Sequence, residues 1–227
     1  MIMLIGPEAY AHFSNELTEM HRLRYRVFEG RLGWTVTSQG DRELDTFDAQ
    51  SPVYLLYRRA DELPIEGCVR LLPSTGPTML RDVFPSLTDG HSIATTPAIW
   101  ESSRFAIDIP RAPHPTRGGL AGATYELFAG MVEFGLHRKL IAIITVTDIR
   151  VERLLRRAGW PLRRIGNPRL VGDTLAVAGY LEISVEALLR LRHTGGLRGP
   201  VLWAPALVTP YSPGQSQRAP RFPDCDR

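Results

Sequence analysis

Several residue types are scarce in this chain of 227 residues, and each scarcity excludes a class of protein. Only Cys68 and Cys225 are present, which excludes a disulfide framework and a cysteine-rich zinc site. Cys68 lies in a strand-like run, so we interpret it as a small core residue rather than a nucleophile. No apolar stretch approaches the ~20 residues that span a bilayer. The first eight residues lack the basic start of a signal peptide, so we expect a cytoplasmic protein with no membrane partner.

Lysine is also nearly absent, and the basic residues that remain are unevenly distributed. Lys139 is the only lysine beside 26 arginines. Residues 137–169 contain nine basic residues but only two acidic ones, Asp148 and Glu152, which is a local net charge of +7. Such a field favours an anionic partner, namely nucleic acid, the phosphates of coenzyme A or an acidic carrier protein.

The rest of the composition, with 44% hydrophobic and 22% charged residues, is that of a globular domain. Hydrophobic periodicity predicts strands over 1–5, 53–57, 65–72, 98–109, 141–147 and 174–183. It predicts helices over 7–28, 79–87, 120–136, 149–158 and 185–192. This order favours one α/β domain, an α/β/α sandwich with a mixed central sheet, over residues 1–204. Five prolines beyond this point predict a disordered tail over 205–227.

The first candidate site is the long loop predicted over 30–48, since loops of this length are often functional lids. Aromatic faces attract a desolvated cation, carboxylates bind an ammonium and arginine binds a carboxylate, which together suit a small zwitterion with an extra cation. A solvated acidic loop anchored by two aromatic residues is the alternative. The acids do not have EF-hand spacing, so no metal site is expected. The residues in question are Arg24, Phe28, Trp34, Glu43, Asp45 and Asp48.

A second candidate site lies in a predicted strand. Regular alternation places Glu101, Ser103 and Phe105 on one face of the strand. The same alternation places Ser102 and Arg104 on the other face. Charged residues inside a buried strand are costly unless they are paired or used. Arg104 is therefore either paired with a lid carboxylate or part of a functional site.

A third candidate is the run Arg-Gly-Gly-Leu-Ala-Gly-Ala over 117–123, which opens a predicted helix. Amides at a helix N-terminus bind phosphate groups, although simple helix entry is the commoner reason for such glycines. The run resembles the Arg/Gln-x-x-Gly-x-Gly/Ala pantetheine loop of the acetyltransferase (GNAT) superfamily, with Leu120 in place of a glycine. No nucleophile elbow, Walker loop, zinc-binding HExxH or dinucleotide fingerprint occurs in the sequence.

Seven segments carry a more specific pattern when they are taken together. They are Arg24-x-x-Val27-Phe28, Gly33-Trp34, Glu43-x-Asp45-x-Phe47-Asp48, Arg70-Leu71-Leu72-Pro73-x-Thr75-Gly76-Pro77-x-Met79-Leu80, Phe84-Pro85, Ile99-Trp100-Glu101-x-Ser103-Arg104-Phe105-Ala106 and Thr145-Val146-Thr147 to Arg157-Ala158-Gly159. This set strongly resembles the acyl-homoserine lactone synthases, the autoinducer synthases of bacterial quorum sensing. The resemblance covers roughly residues 1–190.

The resemblance implies a GNAT-like fold with a mostly antiparallel sheet, and a two-step reaction without a cofactor. S-adenosylmethionine (SAM) supplies an amine that attacks an acyl thioester. Its carboxylate then displaces methylthioadenosine and closes the lactone. The implied acyl donor is an acyl carrier protein, with coenzyme A as the alternative, and we expect a monomer. A thioester is already activated, which fits the lack of a nucleophile motif.

The resemblance also implies roles for individual residues at the SAM site. Glu101 would be the general base for the amine, while Asp45 and Asp48 would orient the amine and ribose end of SAM. Arg104 would bind the SAM carboxylate. The remaining members would shape the lid or support SAM, and they are Arg24, Phe28, Trp34, Arg70, Phe84 and Ser103.

On the acyl side, the resemblance implies a tunnel whose residues are Met79, Phe105, Thr145, Leu154 and Leu175. The hydroxyl of Thr145 could bond the additional carbonyl of a 3-oxo chain, or Thr145 could simply be a β-branched strand residue. Arg153 and Arg157 would dock the carrier, and helical spacing places them on one face.

Two other functions are alternatives to this one. A GNAT-type N-acyltransferase that uses acyl-CoA and another amine explains the glycine run but not the lid. An arginine-rich nucleic-acid binder is disfavoured, because the arginines of 137–169 are interleaved with the core-type residues Leu154, Leu155 and Ile165. We therefore expect no nucleic-acid partner.

Overall fold

The structure, a computed structural model, describes residues 1–60, 63–108 and 122–203. Within these residues the strands are β1 Ile2–Ile5, β2 Ser38–Gln39, β3 Arg42–Glu43, β4 Val53–Tyr57, β5 Gly67–Pro73, β6 Ile99–Ile107, β7 Ala142–Asp148, β8 Arg163–Arg164, β9 Arg169–Val171, β10 Thr174–Glu182 and β11 Leu202–Trp203. The α-helices are α1 Ser14–Tyr25, α2 Met79–Asp82, α3 Gly122–His137, α4 Ile149–Arg157 and α5 Val185–Gly195. The glycine-rich run before Gly122 and the predicted tail over 205–227 lie outside the described residues.

The central sheet has nine strands, and it follows the order β11-β1-β4-β5-β6-β7-β10-β8, with β9 also paired to β10. The pairs β1–β11 and β6–β7 are parallel, and the other recorded pairs are antiparallel. The prediction of an α/β fold with a mixed, mostly antiparallel sheet is confirmed. None of the helices in the described part of the chain has the length and apolar character needed to cross a bilayer.

Period-two alternation places helices on both faces of this sheet. On β4, Val53 and Leu55 pack into the core formed with α3, α4 and α5, which we call the α3 face. Tyr54 and Leu56 on the same strand pack against Met20 and other residues of α1, which defines the α1 face. Helix α2 covers the same side of the sheet further along, where Leu80 packs on β7 and β10.

The predicted first helix, over 7–28, is divided into three pieces. A 3-10 turn over Pro7–Ala9 precedes α1, and a π-helix over Arg26–Arg31 follows it. The wider π turn occurs mostly as a single insertion near functional sites. The lid predicted over 30–48 begins where this turn ends and contains the β2–β3 hairpin.

The parallel strands β6 and β7 separate part of the way along their length. Their pairing runs from Ile99 opposite Ala142 to Ser102 opposite Thr145. Beyond that point β6 continues to Ile107 and β7 to Asp148 without recorded pairing between them. The Thr145 hydroxyl donates to the Ser102 carbonyl oxygen at 3.0 Å, where the gap begins.

A β-bulge in β6 makes the predicted alternation wrong for two residues. Cys68 of β5 lies opposite Ala106 of β6, and Arg70 of β5 lies opposite Ser103 of β6. Two residues of β6, Arg104 and Phe105, therefore lie opposite a single residue of β5. Arg104 adopts a φ of +55°, a left-handed conformation that is uncommon for a residue with a side chain. The additional residue shifts the alternation. As a result Arg104 lies on the α1 face, while Phe105 packs on the α3 face.

Candidate functional site

A cavity of about 670 Å³ lies where β6 and β7 separate. Its lining contains residues of the α1 face and the lid, among them Trp34, Glu101 and Arg104. It also contains residues from the α3 face, namely Phe128, Met131, Val151, Leu155 and Leu181. The cavity therefore passes through the gap in the sheet and joins a polar end to an apolar end.

Six charged side chains beside the polar end form a closed ring in which positive and negative groups alternate. We call this set the ionic ring, and its members in order are Arg24, Glu43, Arg104, Asp45, Arg70 and Asp48. Three arginines and three carboxylates cancel in charge, so the burial of each carboxylate is compensated by two arginines. Because each carboxylate is already bonded in this way, the ring offers no open set of metal ligands.

The most buried arginine of the ring is Arg24, which projects from α1 with no exposed side-chain surface. Its Nη1 and Nη2 donate to Asp48 Oδ1 and Oδ2 at 2.8 and 2.9 Å, and its Nε donates to Glu43. Burial opposes the charged form of Arg24, but the bonds to Asp48 and Glu43 outweigh it and raise its pKa.

Arg70, on β5, connects Asp48 to Asp45 and to β6. Its Nη2 donates to Asp45 Oδ2 at 3.0 Å, its Nη1 donates to Asp48 Oδ1 at 2.9 Å and its Nε donates to the Ser103 hydroxyl at 3.0 Å. Burial alone would raise the pKa of Asp48, but Arg24 and Arg70 hold it well below its usual range. Asp48 also accepts a bond of 2.7 Å from the hydroxyl of Tyr54.

Arg104 closes the ring from the bulge in β6. Its Nε lies 2.9 Å from Glu43 Oε1, and its Nη2 lies 2.7 Å from Asp45 Oδ2. Its guanidinium carbon lies 5.5 Å from the centre of the Phe28 ring. A left-handed non-glycine residue costs about 1–3 kcal/mol, so these contacts are what keep Arg104 directed into the cavity.

Phe28 is held between Arg104 and Trp34. The Phe28 and Trp34 rings are nearly parallel, at 11°, with centroids 5.4 Å apart. The π-helix makes this possible, because the Trp34 amide donates back to the Phe28 carbonyl at 2.9 Å. Phe28 is buried, whereas Trp34 remains 38% exposed and lines the cavity. Trp34 therefore offers surface to a ligand, and Phe28 supports it from behind.

Glu101 is buried at the centre of the cavity wall, on the α1 face. Its Oε2 accepts from the Met79 amide at 2.7 Å and its Oε1 accepts from the Leu80 amide at 2.8 Å. Burial raises the pKa of Glu101, and these two hydrogen bonds oppose the rise without cancelling it. The carboxylate thus holds the start of α2 in place and also has an increased affinity for a proton.

The structure changes part of the predicted acyl tunnel. Met79, Phe105 and Thr145 line the cavity, as does the predicted SAM contact Phe84. Leu154 and Leu175 are not among the lining residues: Leu154 is partly buried and packs against the core of the α3 face, and Leu175 is 38% exposed. The neighbouring side chains that do line it are Val151, Leu155, Thr174 and Ala176. The Thr145 hydroxyl donates to the Ser102 carbonyl oxygen at 3.0 Å, so donation to a 3-oxo carbonyl would require it to exchange that bond.

Two observations concern residues to which the sequence gave little or no role. Glu43 was recognised only as an acid of the lid, yet it bonds both Arg24 and Arg104. Its position two residues before Asp45 was the only available signal. Cys68 is a buried core residue, and burial raises the pKa of its thiol to about 12, which excludes a thiolate nucleophile.

The predicted docking residues lie on the surface of α4. Arg153 and Arg157 are both exposed and are separated by four residues, so they share one face of the helix. The side chain of Asp148 caps the helix by accepting from the amides of Arg150 and Val151. Because Val151 and Leu155 of the same helix line the cavity, α4 connects this basic surface to the apolar end.

Comparison with known proteins agrees with this geometry. The family model described as autoinducer synthase matches residues 8–191. The chain is 45% identical over 176 residues to a probable acyl-homoserine-lactone synthase of Sinorhizobium fredii, which covers 78% of this chain and 84% of that protein. It is 43% identical over 180 residues to an acyl-homoserine-lactone synthase of Agrobacterium fabrum, which covers 79% of this chain and 85% of that protein.

Solved structures show the same similarity. The acyl-homoserine-lactone synthase LasI superposes with a TM-score of 0.73 at 33% identity, covering 85% of this chain and 94% of LasI. BjaI, a CoA-dependent acyl-homoserine lactone synthase solved with SAM and isopentyl-CoA, superposes with a TM-score of 0.79 at 26% identity, covering 90% of this chain and 92% of BjaI.

Proposed function

Since the chain belongs to the autoinducer synthase family, whose members are acyl-homoserine-lactone synthases and hence acyltransferases, we propose that its cavity binds SAM beside an acyl thioester delivered by an acyl carrier protein. No cofactor is required. The observation that carries this proposal is the single cavity that joins the ionic ring and Trp34 to an apolar end through the gap between β6 and β7. SAM fits the charged end, and a fatty chain fits the apolar end.

The first step is transfer of the acyl group to nitrogen. The α-amine of SAM must lose a proton before it attacks, since a free α-amine has a pKa of about 7.7–8.0. Glu101 lies in the cavity wall with a raised pKa and accepts this proton directly or through water. The nitrogen then bonds to the thioester carbonyl carbon and loses its second proton as the carbon–sulfur bond breaks, and the sulfur takes up a proton, so the donor leaves as a thiol.

The second step closes the ring. The carboxylate oxygen of SAM attacks the γ-carbon, and the bond from that carbon to the sulfonium sulfur breaks. The electron pair stays on sulfur, so methylthioadenosine leaves as a neutral thioether and the negative and positive charges of the reactant cancel. This step requires SAM to be curled and shielded from water, which is the part played by the lid and the rigid ionic ring.

The proposal is tested by incubating the purified protein with SAM and a defined acyl-carrier protein. We expect methylthioadenosine and acyl-homoserine lactone to appear in equal amounts. A parallel incubation with the same acyl chain on coenzyme A distinguishes the two donors, since BjaI is described as CoA-dependent. Absence of methylthioadenosine with both donors would remove the synthase function.

A change at Trp34 tests the cation-binding surface of the lid. We expect Trp34→Leu to raise the KM for SAM by about 2- to 30-fold, because a cation over an aromatic face is worth about 0.5–2 kcal/mol. The matched control is Trp203→Leu in β11, since Trp203 is 43% exposed but does not line the cavity. Equal KM values for the two variants, measured by methylthioadenosine release, would exclude Trp34 from SAM binding.

Reversal of charge on α4 tests delivery by a carrier protein. We expect the double variant Arg153→Glu and Arg157→Glu to raise the KM for an acyl-carrier donor about tenfold, because steering by complementary charge is lost. The control is Lys139→Glu with Arg198→Glu, which makes the same change in net charge at exposed positions elsewhere. Kinetics with a short pantetheine thioester should not change. An equal rise with both donors would argue against docking at α4.

A further inference from the structure

An exposed pair of leucines lies beside the cavity and is not used by the reaction described above. Leu170 of β9 lies directly opposite Leu175 of β10, and the two side chains are 73% and 38% exposed. Leu170 is the most exposed large apolar residue in the part of the chain that the structure describes. Cross-strand partners occupy the same face of a sheet, so the two side chains form one apolar surface, which we call the leucine pair.

The leucine pair is located at the entrance to the cavity. The cavity lining contains the turn between β9 and β10 and the strand residue on each side of it, namely Val171, Gly172, Asp173 and Thr174. Ala176, next to Leu175, lies opposite Asp148, the residue that caps α4. Alternation along β10 places Leu175 on the same face as Leu181, which packs in the core that α4 covers. The leucine pair and the exposed face of α4 are therefore neighbours on the surface.

The hairpin that carries the pair is fixed from its opposite face. Asp89 accepts hydrogen bonds from the backbone and side-chain nitrogens of Asn167 at 2.6 and 2.9 Å, and it forms an ion pair with Arg169 at 2.5 Å. Since Arg169 pairs with Ala176 and Leu170 pairs with Leu175, the Asp89 contacts lie on the side of the hairpin away from the leucines. The contacts of Asp89 thus fix the β9–β10 hairpin and leave both leucine side chains exposed on its other face.

The charge around the leucine pair indicates the type of partner. Residues 148–173 contain seven arginines against three acidic residues, a net charge of +4. Arg150 and Arg153, on the first turns of α4, are exposed. An apolar contact surrounded by arginines suits a macromolecule that presents apolar side chains among carboxylates. The phosphates of coenzyme A would form ion pairs with the arginines, but neither the phosphates nor the ribose would bind to an exposed leucine surface.

We propose that Leu170 and Leu175, together with the arginines of α4, form the docking surface for an acidic acyl carrier protein at the cavity entrance. The inference rests on the proposed function and adds to it, because it assigns the apolar contact and selects the carrier over coenzyme A as donor. It also assigns Leu175 to the docking surface, whereas the resemblance implied a position in the acyl tunnel. Both leucines act in delivery of the thioester and take no part in the chemical steps.

The test is a steady-state comparison of the double variant Leu170→Ser and Leu175→Ser with the unaltered protein. We expect the KM for the acyl-carrier donor to rise about tenfold, with kcat within about twofold, because truncation of an apolar interface contact costs about a factor of ten in affinity. With the same acyl chain on coenzyme A, KM and kcat should not change. The control is Leu189→Ser on α5, which is 57% exposed and lies away from the cavity lining.

The possible outcomes separate this inference from the function on which it rests. If the unaltered protein releases methylthioadenosine and the leucine variant has an unchanged KM for the carrier donor, the docking surface is wrong and the synthase stands. The same conclusion follows if both donors show an equal rise, or if the unaltered protein accepts only acyl-CoA. If the unaltered protein releases no methylthioadenosine with either donor, the proposed function fails and the docking surface fails with it.

Discussion

Arg24→Met is expected to lower the free energy of unfolding by about 3–5 kcal/mol, because it leaves the three carboxylates of the ionic ring with only two arginines and so one buried negative charge without compensation. Arg24 is fully buried, and it bonds Glu43 and Asp48, which are 0% and 7% exposed. Methionine retains the length and most of the apolar contact of the side chain, so the loss reflects charge rather than volume. The measurement is urea-induced unfolding at pH 7.

The matched control lies on the same helix. Arg22 pairs with Asp41, and the two side chains are 51% and 64% exposed. Arg22→Met should therefore cost no more than about 1 kcal/mol, the range of surface salt bridges. If the two variants lose equal stability, the ionic ring does not organise the site in the way described above.

The decrease in the free energy of unfolding caused by Arg24→Met should also depend on pH. The native environment lowers the pKa of Asp48, so the stability from this group is fully present above its unfolded pKa of about 3.9 and is lost as the pH falls below that value. The difference between the variant and the unaltered protein should therefore be constant from pH 7 to about pH 5 and shrink as the pH falls further to pH 3. A difference that stays constant down to pH 3 would contradict the assignment to Asp48.

Glu101→Gln is expected to lower turnover by about 100-fold or more, since a positioned general base contributes about 10²–10⁴ to the rate. Glutamine has the same shape but accepts no proton at neutral pH. It also has one acceptor oxygen where Glu101 uses two, so one of the amides of Met79 and Leu80 loses its partner. The rate of methylthioadenosine release is the readout, and Glu186→Gln, at an exposed position on α5, is the control.

The pH profile separates a base from a residue that only positions α2. Burial raises the pKa of Glu101, so if Glu101 is the base, kcat should fall as the pH is lowered through that raised value. The Glu101→Gln variant should lack this fall. A slow variant that keeps the same pH profile would mean that Glu101 acts only by holding Met79 and Leu80. Turnover within twofold of the unaltered protein would exclude both roles.

The fold was largely predictable because its signals are local. Period-two runs and helical periods predicted the strands over 53–57 and 174–183 and the helix over 149–158 to within one residue of their observed bounds. The short strands β8, β9 and β11 were not predicted, because they contain only two or three residues each and depend on pairing with distant segments. The prediction of a domain over 1–204 stays a prediction.

The candidate site was predictable in its membership but not in its geometry. The motifs contain all six members of the ionic ring and assigned a role at the SAM site to five of them, all except Glu43, and the structure brings the six into contact. The position of Arg104 could not be predicted, because alternation assumes a regular strand and the bulge is fixed by contacts with Glu43 and Asp45, far away in sequence. The absence of Leu154 and Leu175 from the cavity lining could not be predicted either, since a motif match does not show which side chains border a cavity.

That one cavity through the separated strands holds both substrates can be tested by a crystal structure with SAM and an amide analogue of an acyl-pantetheine thioester. We expect the SAM amine between Glu101 and the acyl carbonyl, the sulfonium beside Trp34, and the chain against Met131 and Leu155. SAM bound instead in the separate pocket beside Tyr10 and His21, behind the ionic ring, with the acyl chain elsewhere, would contradict this expectation.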